Sequence, residues 1–291
     1  MSFLDVKDMI SREDVLQFAL YLETSPNLDS HREELSDNTM LRYASRNGHN
    51  VIVEMLIEHG ATLNLADTFG LTALHEACRY GEARCIELLL RGGADPNSST
   101  PGTGLTPLHM ASEEGNKECV ELLLQHGALM EARNAEGSTP LHMAAEDKNS
   151  RVVQCLVESG ANIDAVDIKG RTPLFNACYQ EDIQSIKTLV AKGSDMNKRD
   201  LEGWTPLHHM ANRGTASSLV VLIDLGADIS VSTPDGMSPL HFASYMGNTE
   251  CVEILVKAGA DLTLRNSAGL SPYELTKIDY LKQVLAPKKG G

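Results

Sequence analysis

Five histidines recur at one offset in the sequence. His75, His109, His142, His208 and His241 each stand three residues after a Thr or Ser. Repeated imidazoles raise the possibility of a metal site or a proton relay. Spacing argues against both, because equivalent positions on stacked helices lie roughly 8–10 Å apart. A zinc–nitrogen bond is only about 2 Å long, so one ion cannot span two such positions. The bland alternative is a ring that hydrogen-bonds the backbone of a neighbouring turn. His208-His209 is an adjacent pair, but successive helix residues face different ways. The six cysteines (Cys78, Cys85, Cys119, Cys155, Cys178 and Cys251) show no CxxC or Cys/His ligand spacing and sit in apolar helical stretches, as small core residues do. Carboxylates are plentiful but fall at regular intervals on turns and hairpins, whereas acid–base catalysis needs two that converge in a cleft. No phosphate-binding loop, dinucleotide fingerprint, nucleophile elbow or HExxH motif occurs. The expectation is a non-enzymatic chain with no catalytic residue, no cofactor and no metal.

The elements that position these residues are set by a repeat. Thr39, Thr72, Thr106, Thr139, Thr172, Thr205, Ser238 and Ser271 follow one another at gaps of 33 residues, with a single gap of 34 between Thr72 and Thr106. Each segment carries the same chemistry at the same offset. Asp67-Thr68-Phe69-Gly70-Leu71-Thr72-Ala73-Leu74-His75 returns as Asp200-Leu201-Glu202-Gly203-Trp204-Thr205-Pro206-Leu207-His208. The Gly before the Thr supplies a turn that a Cβ would oppose. The Thr or Ser caps a helix, and Pro at the first helical position loses no hydrogen bond. Apolar residues then recur at helical spacing, and a closing Gly ends the second helix. One such segment cannot bury its apolar face alone, but stacked segments can.

Thr106-Pro107-Leu108-His109-Met110-Ala111 and Thr139-Pro140-Leu141-His142-Met143-Ala144 closely match the hallmark of the ankyrin repeat, and Ser238-Pro239-Leu240-His241-Phe242-Ala243 matches with one conservative change. The pattern resembles that family over residues 38–287. The resemblance implies an all-α ankyrin-repeat solenoid of stacked helix-turn-helix units with β-turn tips, binding protein on its concave surface. Three segments follow: an N-terminal helical cap over 1–37, seven repeats over 38–265, and a partial capping repeat with a tail over 266–291. Ser11-Arg12-Glu13-Asp14 predicts a helix start, with Val15, Phe18, Ala19 and Leu22 forming its apolar stripe. The first repeat lacks the Pro and the His, which suits a terminal unit. The one-residue insertion falls in Ser98-Ser99-Thr100-Pro101-Gly102-Thr103 and predicts a protruding turn. Lys148 and Glu181 stand where other units carry a mid-hairpin Gly, so those hairpins are expected to be strained and looser. The last second helix is expected to be short, near Tyr280 to Leu285, with Lys288-Lys289-Gly290-Gly291 a frayed tail.

Composition bounds the partner. The 291 residues are 42 % hydrophobic and only 4 % aromatic, with a net charge of −15. An acidic surface repels phosphate backbones, so nucleic acid is not expected, and no Lys/Arg-rich run overrides that balance. No stretch approaches the roughly 20 apolar residues needed to cross a bilayer, so no membrane contact is expected. The start of the chain lacks a signal-peptide pattern, and the unpaired-looking cysteines suit a reducing compartment. The expectation is a monomer in the cytoplasm or nucleus.

Mapping the repeat offsets onto the implied concave surface gives the candidate partner-binding residues. The turn position before the Thr contributes Leu105, Arg171, Trp204 and Met237. The end of the first helix contributes Arg79, Tyr80, Glu113, Glu114, Glu146, Asp147, Tyr179, Arg213, Tyr245 and Met246, and Glu136 joins the acidic set. Trp, Tyr and Met are enriched at protein interfaces. Glu113, Glu114, Glu136, Glu146 and Asp147 predict contact with a basic segment of the partner, flanked by Arg79, Arg171 and Arg213. Asn97 and Asn197 stand in contexts that resemble asparaginyl-hydroxylase sites in ankyrin proteins. The leading function is a scaffold or adaptor. The repeats are also similar to those of ankyrin-and-SOCS-box proteins, which implies the substrate-recognition subunit of a ubiquitin ligase. About 20 residues follow Ser271, too few for the family's box, so that reading makes the chain a fragment. A third reading is an ankyrin-type signalling or transcriptional inhibitor.

Overall fold

The computed structural model describes residues 3–24 and 39–286, and these are helical with no strand among them. In chain order the helices are α1 (Phe3–Ser11), α2 (Val15–Thr24), α3 (Met40–Arg46), α4 (Asn50–Glu58), α5 (Ala73–Tyr80), α6 (Ala83–Arg91), α7 (Pro107–Glu113), α8 (Lys117–Gln125), α9 (Pro140–Glu146), α10 (Ser150–Glu158), α11 (Pro173–Tyr179), α12 (Ile183–Ala191), α13 (Pro206–Arg213), α14 (Ala216–Asp224), α15 (Pro239–Met246), α16 (Thr249–Lys257), α17 (Pro272–Leu275) and α18 (Asp279–Leu285). They form two compact units, residues 1–144 and residues 145–291. Within each unit, first helices pack on first helices and second on second, as α3 does on α5 and α13 on α15. Residues 25–37 of the expected N-terminal cap and the tail Lys288–Gly291 lie outside the described residues.

In the first unit the helix start expected at Ser11 is displaced. Ser11 is the last residue of α1, its hydroxyl bonded to the Lys7 carbonyl at 2.8 Å. Asp14 caps α2 instead, its Oδ1 accepting the Gln17 N–H at 3.1 Å. A carboxylate beside the helix N-terminus does what the serine hydroxyl was expected to do. The buried face of α2 is Phe18, Tyr21 and Leu22. Ser11 Oγ lies 2.7 Å from Tyr43 Oη, and Glu13 Oε1 lies 2.8 Å from His49 Nδ1, which ties α1 and α2 to the first hairpin.

Most hairpin tips are Asx turns, and the tips at Thr100 and Thr233 use a threonine hydroxyl instead. Asp67 Oδ1 accepts the Phe69 and Leu71 N–H groups at 2.9 and 2.8 Å, and Asn134 Oδ1 accepts those of Glu136 and Ser138 at 2.9 Å. In the second unit Asp167, Asp200 and Asn266 do the same. A short carboxylate or amide closing on its own backbone is why Asp and Asn recur there. The inserted turn replaces this device with Thr100, whose Oγ1 accepts the Leu105 N–H at 2.9 Å and lies 2.6 Å from Thr103 Oγ1. Pro101, Gly102 and Thr103 are left exposed, as the extra residue predicts.

The histidines latch one hairpin to the next. The Thr72 N–H donates to His75 Nδ1 at 3.2 Å, so Nε2 carries the ring proton and donates to the Leu105 carbonyl at 3.1 Å. His109 reaches the Ser138 carbonyl at 3.0 Å. In the second unit His208 reaches Met237 and His241 reaches Leu270, both at 3.1 Å. Every one of these rings is buried. Three hairpins replace the imidazole. Arg42, also buried, takes the position in α3 and donates to Asp67 Oδ2 at 2.6 Å and Glu76 Oε1 at 3.1 Å. Phe175 takes it in α11. Glu274 takes it in α17 and accepts the Ser271 N–H at 2.7 Å.

Lys148 and Glu181 have φ values of +60° and +57°, the left-handed conformation expected where Gly is missing. All six cysteines are buried and outside any disulfide, and burial raises the Cys85 and Cys119 thiols to about 12. They behave as core atoms, not nucleophiles.

Two tests follow from these contacts. Burial lowers His75 and His208 from 6.5 to about 4. The unfolded chain therefore takes up protons below pH 6.5 that the folded chain refuses. Stability fully present above pH 6.5 is lost as pH falls toward 4, by on the order of 3 kcal/mol per histidine. Urea midpoints should fall between pH 7 and 4.5, and His208→Gln should flatten that slope; a pH-independent midpoint contradicts the latch. Gly70 (φ +81°) and Gly127 (φ +85°) separate strain from clash. A Cβ on Gly70 would sit 2.0 Å from Pro101 Cδ, whereas one on Gly127 meets nothing within 4 Å. Gly127→Ala should cost about 1 kcal/mol through backbone strain, and Gly70→Ala roughly twice that or more.

Candidate functional site

The candidate partner-binding residues sit at the hairpin tips and at the C-terminal ends of the first helices. In the first unit α5 ends on Arg79 and Tyr80, both exposed, and the Arg46 guanidinium lies 4.7 Å from the Tyr80 ring centroid. Leu105 is half-buried and lines an open groove of about 490 Å³ together with Phe69, Leu71, Pro101, Met110 and Arg79. The inserted turn builds one wall of this groove. Phe69, 71 % exposed, was missed by offset mapping because it lies inside the turn, outside the position before the Thr. A large apolar residue in a tip was the available signal. Glu114 and Glu136 are exposed, while Glu113 at the end of α7 is half-buried.

In the second unit Glu146 and Asp147 are exposed. The structure gathers four of the other candidates, Arg171, Tyr179, Trp204 and Arg213, around one residue that offset mapping set aside. His209 is buried, and its Nε2 donates to Asp200 Oδ2 at 2.7 Å. Its Nδ1 accepts from Tyr179 Oη at 3.1 Å. Burial lowers the His209 pKa, outweighing the Asp200 carboxylate that raises it, so the ring is neutral with its proton on Nε2. Phe175 and Trp204 pack against it with centroids 5.5 and 5.0 Å away. Both ring nitrogens are taken and the ring is buried, so the arrangement braces Tyr179 and leaves no place for a reacting atom. Trp204 is half-buried, and its ring lies 4.3 Å from that of Phe242, so much of its surface covers the next hairpin. Met237 is likewise half-buried, with its sulfur 3.2 Å from Asn266 Nδ2. Arg171 and Arg213 lie over the same ring, their Cζ atoms 5.5 and 4.8 Å from the Tyr179 centroid. Tyr245 and Met246, at the end of α15, are 62 % and 51 % exposed.

The two asparagines are engaged in the stack. Asn97 donates to the Gly127 carbonyl at 3.1 Å and accepts the Leu129 N–H at 2.8 Å, and Asn197 accepts the Asp228 N–H at 3.1 Å. Among the described residues no group of three or more His, Cys, Asp or Glu side chains could hold a metal ion, and no helix is long and apolar enough to cross a membrane.

Comparison with known proteins points the same way as the geometry. A family model described as ankyrin repeats (3 copies) matches residues 9–100, 84–167, 108–200 and 174–266. The chain is similar to E3 ubiquitin-protein ligase XBAT33 of Arabidopsis thaliana, 36 % identical over 77 residues, which is 26 % of this chain and 15 % of that protein. It is 39 % identical over 83 residues to the 2-5A-dependent ribonuclease of Mus musculus, covering 26 % of this chain and 11 % of the ribonuclease. It is 42 % identical over 67 residues to BCL-6 corepressor-like protein 1 of Mus musculus, 22 % of this chain and 4 % of that protein. These alignments span a small part of each relative's length.

The brace is testable. His209→Ala removes the donor to a buried carboxylate and the acceptor for Tyr179, and should destabilise the fold by about 2–4 kcal/mol. Urea denaturation followed by Trp204 emission measures it. A loss below about 0.5 kcal/mol, the range of ordinary surface substitutions, would contradict the role given to the ring.

Proposed function

The chain belongs to the ankyrin-repeat family, and from that premise we propose that it is a non-enzymatic adaptor that holds a protein or peptide on its hairpin tips and first-helix ends. The observation that carries this reading is the division of labour among side chains. The groups with chemistry to offer, the recurring histidines (His75, His109, His142, His208 and His241) with His209 and the six cysteines, are buried and, where their bonds are described, spent on caps, latches and core. The groups left outside (Arg79, Tyr80, Glu114, Glu136, Arg213, Tyr245 and Met246) are those a protein partner uses. A basic segment of the partner suits the first unit's Glu113, Glu114 and Glu136, and Glu146 and Asp147 of the second unit offer the same sign of charge. The finer assignment to cytoplasm or nucleus, as a monomer, belongs to the same proposal, as does the division into a cap over 1–37, repeats over 38–265 and a capping segment over 266–291. Asn97 and Asn197 are proposed as hydroxylation positions only secondarily, since their amides already serve the stack.

A second reading is favoured by the names of the relatives. XBAT33 and the Oryza sativa protein called probable E3 ubiquitin-protein ligase XBOS32 share the repeat with this chain over 77 residues each. On that reading the repeats select the substrate of a ubiquitin ligase, as in the ankyrin-and-SOCS-box resemblance.

The test is in-cell cross-linking with the full chain as bait, comparing wild type with Tyr80→Ala/Tyr245→Ala and with Glu114→Lys/Glu136→Lys, all four exposed. Each exposed pair should lose at least about tenfold in capture of a specific partner, equivalent to about 1.4 kcal/mol, with the urea midpoint unchanged. Capture unaffected by both variants would reject this surface. Ubiquitin conjugates on the captured partner that vanish with the same variants would favour the ligase reading over plain scaffolding.

A further inference from the structure

The Arg171–Tyr179–Arg213 cluster stands out in a chain with a net charge of −15. Two guanidinium groups converge on one phenol ring, from the tip before α11 and from the end of α13. The ring cannot swing away, because its hydroxyl is bonded to the buried His209, which is held in turn by Asp200. Asp200 does not serve as counter-ion to Arg213. Its Oδ1 accepts the Glu202 and Trp204 N–H groups and its Oδ2 accepts from His209. Arg213 is exposed, and among the described residues no carboxylate lies within salt-bridge distance of it. A guanidinium stacked on a ring keeps its N–H donors in its own plane, directed past the ring edge, where they suit a two-oxygen acceptor.

We propose that this cluster is a binding site for an anionic side chain, and that it reads one specific spacing in an extended acidic–apolar peptide. The spacing comes from the repeat. Tyr179, Arg213 and Met246 end α11, α13 and α15, with α11 packed on α13 and α13 on α15. Adjacent helix axes are roughly 10 Å apart, and an extended peptide advances about 3.3 Å per residue. An acidic residue seated on Arg213 beside the Tyr179 ring therefore places the side chain about three residues away over Tyr245 and Met246, the exposed apolar pair. The ligand chemistry is a carboxylate, or a phosphate on a modified serine, with a large aliphatic residue three positions away. This deepens the adaptor reading and rests on it.

The probe is a twelve-residue peptide in a Gly/Ser background with two Glu and, three residues on, two Leu. It is titrated into the full chain with Trp204, the chain's single tryptophan, as the fluorescent reporter. Saturable binding at low salt is expected, weakened at least tenfold in R171Q/R213Q and absent for the peptide with Lys in place of Glu. Moving the Leu pair to one residue from the Glu pair should also weaken it. Because Arg171 is half-buried, R213Q alone is the second variant. Its side chain is exposed, so its urea midpoint should stay at the wild-type value while affinity falls at least threefold. A phosphoserine peptide that binds at least tenfold more tightly than the Glu peptide assigns the site to a phosphate, and equal binding assigns it to a carboxylate. No saturable change up to about 5 mM, wild-type affinity in R213Q, or equal binding of the Lys peptide overturns the proposal. A partner captured in cells equally by wild type and R213Q, with the peptide failing, removes this site and leaves the adaptor reading standing.

Discussion

Within each unit the structure depends on one hydrogen bond made repeatedly: a neutral imidazole in the first turn of a helix donating to the carbonyl at the tip of the next hairpin. A two-helix hairpin has too little apolar surface to stay folded alone. Apolar stacking supplies the driving force but is not directional. The His75–Leu105 and His208–Met237 bonds add direction. Because the same ring accepts from its own cap through Nδ1, one side chain sets the helix start, the ring tautomer and the register to the next tip. Burial keeps the ring neutral, which is why the position suits a histidine with a depressed pKa.

Where the imidazole is absent, the replacement shows what each junction needs. Arg42 satisfies two carboxylates at once, Asp67 and Glu76, and removes that charge from water only because the pairs are close. Glu274 keeps the cap and drops the forward bond. Phe175 can make neither bond, and Thr172 makes no side-chain cap there. The junction is instead held by His209 of the following helix, edge-on to Phe175 and bonded to Tyr179 and Asp200. The same substitution that removes the ordinary latch thus creates the aromatic–arginine cluster, the most individual surface feature of the second unit.

The charge distribution separates two roles for the acidic residues. Asp67, Asp167 and Asp200 fold back on their own tips, and Asp200 is buried. They fix backbone geometry at the tips, and Asp67 and Asp200 also hold Arg42 and His209. Glu114 and Glu136 of the first unit and Glu146 and Asp147 of the second face solvent, as do Arg79 and Arg213, so these side chains add to the surface field of their units.

Periodicity alone determined the helix-turn-helix repeat, most of its caps and the buried histidines, because a 33-residue recurrence of Thr, Pro, His and Gly favours one local conformation per offset; Thr172, which makes no side-chain cap, is an exception. It also marked Lys148 and Glu181 as left-handed, since their neighbours at that offset are glycines. The helix start near residue 11 was misplaced, because Ser11 and Asp14 are both good caps and only the packing of α1 chooses between them. Trp204 appeared as a free anchor from its offset, but whether a tip ring faces solvent or covers a neighbour depends on Phe242 and His209, which lie close only in the folded stack. His209 itself looked uninformative beside His208. Its role arises from Tyr179 and Asp200, 30 and 9 residues away in the chain. Local offsets are written in the chain because each repeat sees the same immediate neighbours; which unlike side chains meet across a junction was decided by tertiary packing, since that depends on two repeats at once.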